Sequence, residues 1–324
     1  MASIVGSGTS GSVSSRAVGS VEVVRRIPTA DLMMGVTVLL WGLNFTVTKY
    51  VLTHGFKPLA YSSIRYGGAA LLFGALTLRR EGSLRVGRRS IPLLLGAAVV
   101  GNLLNQLAYV YAVKLTTATT VALIIGTTPI FAALFASAVG LERLSATFWV
   151  ASVISFGGAA LVAVGSHGGL SGNVWGDVLG VATAATWAAY SVFVAPLMRD
   201  YSPYRISAIV LVLGWIPLAA IASHQLATQD FGALPSLAWV CLGYALLGPL
   251  VTTNVLWFTA IDRVGPSRAT LFANMQPFVG ALFALLILSE PITWLQVLGG
   301  VLIAAGIALP RVRRRRATVA VEAT

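Results

Sequence analysis

The sequence predicts an all-α integral membrane protein: ten transmembrane helices in two inverted five-helix repeats around a central cavity, with both termini cytoplasmic. Three observations predict it. The chain of 324 residues is 57% hydrophobic and only 10% charged. A soluble domain carries about 25% charged residues, so polar surface is too scarce here to clothe a water-soluble globule, and lipid must cover it. Ten apolar runs each approach the roughly 20 residues that a helix needs to cross hydrocarbon. Finally, the two halves repeat each other. Pro129-Ile130-Phe131-Ala132-Ala133-Leu134-Phe135-Ala136 is followed by Glu142, and Pro277-Phe278-Val279-Gly280-Ala281-Leu282-Phe283-Ala284 by Glu290; the copies lie 148 residues apart. Ala112 matches Ala260 and Gly158 matches Gly306 at the same offset, while Asp31 and Trp41 match Asp177 and Trp187 at an offset of 146.

The runs fall at 31–51, 58–78, 91–113, 117–138, 147–165, 175–197, 204–222, 236–260, 266–288 and 293–310. They are too long and too continuous for the alternating strands of about ten residues that build membrane barrels. Residues 1–27 are rich in Gly, Ser and Val and read as a disordered cytoplasmic tail, without the apolar core and cleavage site of a signal peptide. The first repeat occupies 28–168 and the second 169–310, with a basic cytoplasmic tail at 311–324. Connections are short, which leaves no room for a separate soluble module.

Charge sets the orientation. The net charge of +12 first suggests a nucleic-acid partner, but the basic residues cluster between apolar runs, as a topology signal does. With the N-terminus inside, 18 of the 22 Lys and Arg fall on the cytoplasmic side, only Lys49, Lys57 and Lys114 fall outside, and Arg65 lies within a span. The expected partners are therefore the bilayer and a small-molecule substrate, not nucleic acid. Five spans per half is an odd number, so the halves enter the membrane from opposite sides. Such duplication points to a secondary transporter with its site at the repeat interface.

Polar groups in lipid are costly unless paired or hydrated, so their positions are informative. In span three, Asn102, Asn105, Gln106 and Tyr109 recur at i, i+3, i+4 and i+7 and predict one polar face. Span eight carries Thr253, Asn254 and Trp257 at the repeat positions of Asn105, Gln106 and Tyr109. Trp41 and Asn44 in span one are in register with Trp187 and Tyr190 in span six; Asn274 and Gln276 come from span nine. The predicted chamber is lined by Trp41, Asn44, Arg65, Asn102, Gln106, Tyr109, Trp187, Tyr190, Asn254, Trp257, Asn274 and Gln276. Helix-to-helix gluing by the amides and hydroxyls is the competing role.

Arg65 is the one ionisable side chain well inside a span. Three roles fit it: snorkelling to the outer surface, a structural tie to a carbonyl, and an anchor for a substrate carboxylate or phosphate. No Asp or Glu sits deep in a span, which predicts a facilitator, an exchanger, or proton coupling through a less obvious group. Pro129 and Pro277 fall inside spans and are candidate hinges; Glu142 and Glu290 are expected to end helices or pair locally. Cys241 alone excludes a disulfide, and His54, His167 and His224 match no metal motif, so no metal and no cofactor is expected. An enzyme would need clustered His, Asp, Glu or Cys or a nucleotide-binding loop, and neither occurs. A membrane sensor or scaffold without transport remains the other alternative.

Together, Trp41-Gly42-Leu43-Asn44-Phe45, Arg65, the duplicated Pro-to-Glu element and the paired glycines Gly157-Gly158 and Gly299-Gly300 closely resemble the EamA family of the drug/metabolite transporter superfamily. The resemblance spans roughly residues 30–310. It implies ten helices, inverted repeats, a central cavity and movement of small metabolites, often outward. The second half departs from the first, with Ala188, Tyr190 and Val210 where the first has Gly42, Asn44 and Arg65. A chemically asymmetric cavity is therefore expected.

Overall fold

The computed structural model describes residues 29–140, 145–165, 173–264 and 272–322, and every regular element among them is helical. The tail 1–27, Glu142, Arg143, His167 and Arg268 lie outside the described residues. The helices are α1 (Thr29–Thr53), α2 (Pro58–Glu81), α3 (Arg88–Leu115), α4 (Ala118–Ala138), α5 (Ala146–Gly165), α6 (Val174–Leu197) and α7 (Pro203–Ala227). Then come α8 (Ser236–Leu246, running on through Leu247–Thr252 and Thr253–Val264), α9 (Gln276–Leu288) and α10 (Trp294–Glu322). Seven helices among the described residues are long and apolar enough to cross a membrane, and Gln276–Leu288 and Trp294–Leu309 are shorter apolar helices. The last helix differs from expectation: its backbone stays helical through the basic segment predicted as a tail, to Glu322. Arg and Ala are strong helix formers, and the segment contains no glycine to stop it.

Local chemistry sets the ends. Pro58 opens α2, where its missing N–H costs nothing. Gly82 closes α2 in the left-handed region at φ 66, and its N–H bonds the Leu78 carbonyl. Ser202 accepts from the Arg205 N–H and Thr117 from the Thr120 N–H, capping α7 and α4.

The helix pairing is two-fold. α2 packs on its repeat counterpart α7, α5 on α10, and α4 on α9. The pairing of α1 with α9 is mirrored by that of α6 with α4, and α3 with α6 by α8 with α1. Each half therefore donates helices to the other's core. The α5–α10 crossing depends on glycine: a Cβ at Gly158 would lie 2.6 Å from the Gly299 carbonyl oxygen, and one at Gly299 would lie 2.5 Å from that of Gly158. Only the absence of side chains permits this backbone approach.

The halves also share irregularities. α3 widens into a π-helical stretch at Ala97–Leu104, and α8 does so at Leu247–Thr252, the equivalent place. α4 breaks after Ile125 and restarts at Thr128; its counterpart turns at Asn274 and Met275 before α9 starts at Gln276. Pro129 and Pro277 sit in the first turn of the restarted helices rather than kinking a continuous one. There proline removes no hydrogen bond the helix needs. The two breaks meet: a Cβ on Gly126 would lie 3.1 Å from Pro277 Cγ.

Candidate functional site

Beside these breaks lies a buried polar network built from α1, α2 and α3. Phe45 joins it to the break region, since its ring meets Gly280 of α9 and stands edge-on to Tyr109 with centroids 6.0 Å apart. Arg65 is at its centre. It is 2% exposed, so it does not reach a surface. Its Nη2 donates to Gln106 Oε1 at 2.8 Å and its Nη1 to Asn44 Oδ1 at a long 3.4 Å. The guanidinium carbon stands 5.2 Å from the Tyr61 ring centroid, 5.4 Å from that of Tyr66 and 5.9 Å from that of Tyr109. These lie within cation–π range.

The neighbours are themselves fixed. Gln106 Nε2 donates to Ser62 Oγ at 2.9 Å, and Asn44 Nδ2 donates to the Tyr109 hydroxyl at 3.0 Å. The Tyr109 hydroxyl in turn donates to Thr48 Oγ1 at 3.2 Å, and Thr48 shares a proton with the Tyr61 hydroxyl at 3.3 Å. Each amide thus has one end on a hydroxyl and presents its oxygen to the cation. The result is a positive, desolvated centre whose orientation is held by three helices.

Other predicted residues are placed elsewhere. Asn102 is buried and donates to the Val210 carbonyl of α7 at 2.9 Å, while Asn105 donates to the Thr183 carbonyl and the Thr186 hydroxyl of α6, both at 2.9 Å. The predicted single face of span three is therefore divided among four neighbours, α7, α6, α2 and α1. The cause is the π-helical stretch, whose extra residue per turn rotates the phase of the helix just before Asn105. Trp41 Nε1 donates to the Pro249 carbonyl at 3.2 Å, and its ring tilts against Trp257 at 5.3 Å. Asn254 bonds back to Leu250 of its own helix. Trp187, 41% exposed, pairs with Tyr190 at 5.3 Å, and Tyr190 lies in the space that Gly101 vacates on α3. Asn274 and Gln276 are half-buried at the break before α9.

Tyr61, Ser62, Tyr66 and Thr48 belong to the network and are absent from the sequence-derived set. Their signal was present: Tyr61, Ser62, Arg65 and Tyr66 fall at i, i+1, i+4 and i+5, which is one side of a helix. One end of the molecule is clamped across the halves. Glu290 accepts from the Ala118 N–H at 3.0 Å and from the Thr119 N–H and hydroxyl, both at 2.9 Å, so it caps α4 of the opposite repeat. Lys49 donates to the Val113 and Thr116 carbonyls at 3.0 and 2.6 Å, holding the C-terminal end of α3. Both charges match the helix dipoles they face.

Comparison with known proteins agrees with the duplication. The sequence profile of the EamA-like transporter family matches twice, at residues 28–164 and 174–310. The chain is similar to an uncharacterised transporter of Archaeoglobus fulgidus, 24% identical over 85% of this chain and 96% of the relative. It is similar to the uncharacterised inner membrane transporter YedA of Escherichia coli, 28% identical over 75% of this chain and 78% of YedA. It is also 25% identical, over 84% of its length and 90% of the relative, to a probable terminal-alkyne amino-acid exporter of Streptantibioticus cattleyicolor. A crystal structure at 19% identity has the same fold, with a TM-score of 0.62 over 89% of this chain and 98% of the solved one.

Proposed function

Since the chain belongs to the EamA-like transporter family, we propose that it is a secondary transporter of the cytoplasmic membrane. It moves small metabolites, amino acids or similar solutes, outward by alternating access. The chain crosses the membrane ten times with both termini inside, and its five-helix halves are inverted relative to each other. The observation that carries this reading is the meeting of the broken helices α4 and α9 beside a buried polar network. Interrupted helices in corresponding positions of two repeats are the usual location of a transporter's site.

The proposed cavity uses Arg65, Asn44, Gln106 and Tyr109 on one side and Trp41, Trp257, Asn254, Asn274 and Gln276 on the other. Trp187, Tyr190 and Asn102 support its α3–α6–α7 wall. Pro129 and Pro277 act as hinges, because each starts a half-helix that can tilt without losing internal hydrogen bonds. The interleaved pairing lets one half rock against the other, and the Lys49 and Glu290 clamp closes one end. The relative named as an amino-acid exporter supports the solute class and the direction.

Counterflow tests the reading. Purified protein in liposomes preloaded with unlabelled amino acids is expected to accumulate labelled amino acid transiently. A sensor, a scaffold or a membrane enzyme gives no accumulation above protein-free vesicles.

A further inference from the structure

We infer that Arg65 is the receptor for an oxyanion group, carboxylate or phosphate, carried by the transported solute. This rests on the transporter reading above. A guanidinium has five N–H donors in a planar fork. Here one makes a bond of normal length to Gln106 and one a long contact to Asn44, and Nε is buried with no hydrogen-bond partner. Among the described residues, the side chains that meet Arg65 are Asn44, Gln106, Tyr61, Tyr66 and Tyr109, and all are neutral.

A buried charge without a counter-ion is strongly disfavoured. A purely structural arginine would be expected to bond carbonyls or a carboxylate, as Arg205 does with Glu81 at 2.8 Å. Snorkelling does not fit a residue 2% exposed. What remains is a cation held ready: neutral phenols and amides accommodate it when the site is empty, and the unpartnered Nε with the long Asn44 contact leaves the fork short of the charge-assisted bonds that a bidentate oxyanion supplies. The amide acceptors are tied to Ser62 and Tyr109, so the fork is already oriented. Val210 occupies the matching place in the second half and is buried among apolar side chains. The cavity therefore takes one oxyanion, off the two-fold axis, and the solute binds in one orientation.

The test loads proteoliposomes with the small-molecule fraction of a bacterial cell extract, supplemented with amino acids and with their decarboxylated amines. Efflux of every compound is followed by mass spectrometry. The compounds lost are expected to carry a carboxylate or phosphate, and which of the two they carry identifies the source. Their decarboxylated or dephosphorylated counterparts stay inside. Arg65→Gln slows this efflux at least about tenfold, and Arg65→Lys restores part of it with a raised KM. Gln106→Glu, which sets a carboxylate beside Arg65, also blocks it, so the result does not depend on one variant folding. The inference is overturned if neutral or cationic solutes leave equally well, or if monodisperse Arg65→Gln and Gln106→Glu proteins keep the wild-type rate; transport itself then stands. Should no compound leave faster than from protein-free vesicles, the transporter reading fails and the inference with it.

Discussion

On α3, Gln106 and Tyr109 turn outward from their helix and join a network across α1 and α2 that holds a cation. On α8, the residues at the same repeat positions look inward or stack. Asn254 returns its amide to Leu250 of its own helix, and Trp257 lies against Trp41. The backbones of these segments match down to their π-helical stretches and their broken neighbours. A duplicated scaffold thus carries two different surfaces, one polar and charged, the other aromatic. Two-fold packing constrains the glycines and prolines that let helices meet, while the side chains facing the centre are free to diverge.

If that division is right, mutations in the two halves should differ sharply. The largest effect is expected at Arg65. Arg65→Gln removes charge-assisted bonds worth about 1.5–3 kcal/mol, so initial transport rates in proteoliposomes should fall roughly 10- to 100-fold. Gln106→Leu comes next. It removes the one normal-length bond to Arg65 and leaves Ser62 unpaired, which should slow transport about tenfold at normal membrane abundance. A near-wild-type rate would show that the amide merely fills space.

Coupling between the halves is tested at the α5–α10 crossing. Gly158→Ala forces a methyl against the Gly299 carbonyl and should cost about 1–3 kcal/mol, read as a lower Tm in detergent. Gly157→Ala, whose Cβ would meet nothing within 4 Å, should leave Tm unchanged. Equal shifts would refute the crossing. Pro129→Ala and Pro277→Ala sit where alanine also fits a first helical turn. Each should slow turnover only a few-fold while Tm holds, and an unchanged rate would remove them as hinges. The smallest effect is expected at Asn254→Leu, the counterpart of Gln106→Leu. It lines the proposed cavity, but its amide bonds the Leu250 carbonyl of its own helix and holds no cation, so transport should slow only about two- to threefold.

Much of the fold was legible because membrane insertion writes itself into local sequence. Many helix limits fell near the ends of the apolar runs: the run from 58 starts with Pro58 of α2 and the run from 204 one residue after Pro203 of α7, whereas the run 266–288 is interrupted at Asn274 and Met275 and the last helix continues beyond 310. The duplicated Pro-to-Glu element correctly marked counterpart helices, though it did not show that both prolines restart a broken helix. Arg65, Asn44, Gln106 and Tyr109, which the structure joins in one buried network, stood out in the sequence because buried polar groups are rare in such spans. Asn102 and Asn105 were drawn into the same face by a periodicity that assumed an unbroken α-helix. Tyr61, Ser62 and Tyr66 were left out of the predicted chamber because phenols and small hydroxyls carry no charge and stand out less in an apolar span than an amide stripe or an arginine does.

What the sequence by itself determined is the class of molecule: lipid-embedded, helical and duplicated, with a single arginine in mid-span. These follow from residue-by-residue transfer costs and from counting, neither of which needs a partner. What only the tertiary structure decided is who faces whom. The widened turn of α3 separates Asn102, which ties down α7, from Gln106, which holds the guanidinium. A helical face is set by cumulative rotation along the backbone, and a contact by the neighbour that the packing brings to it.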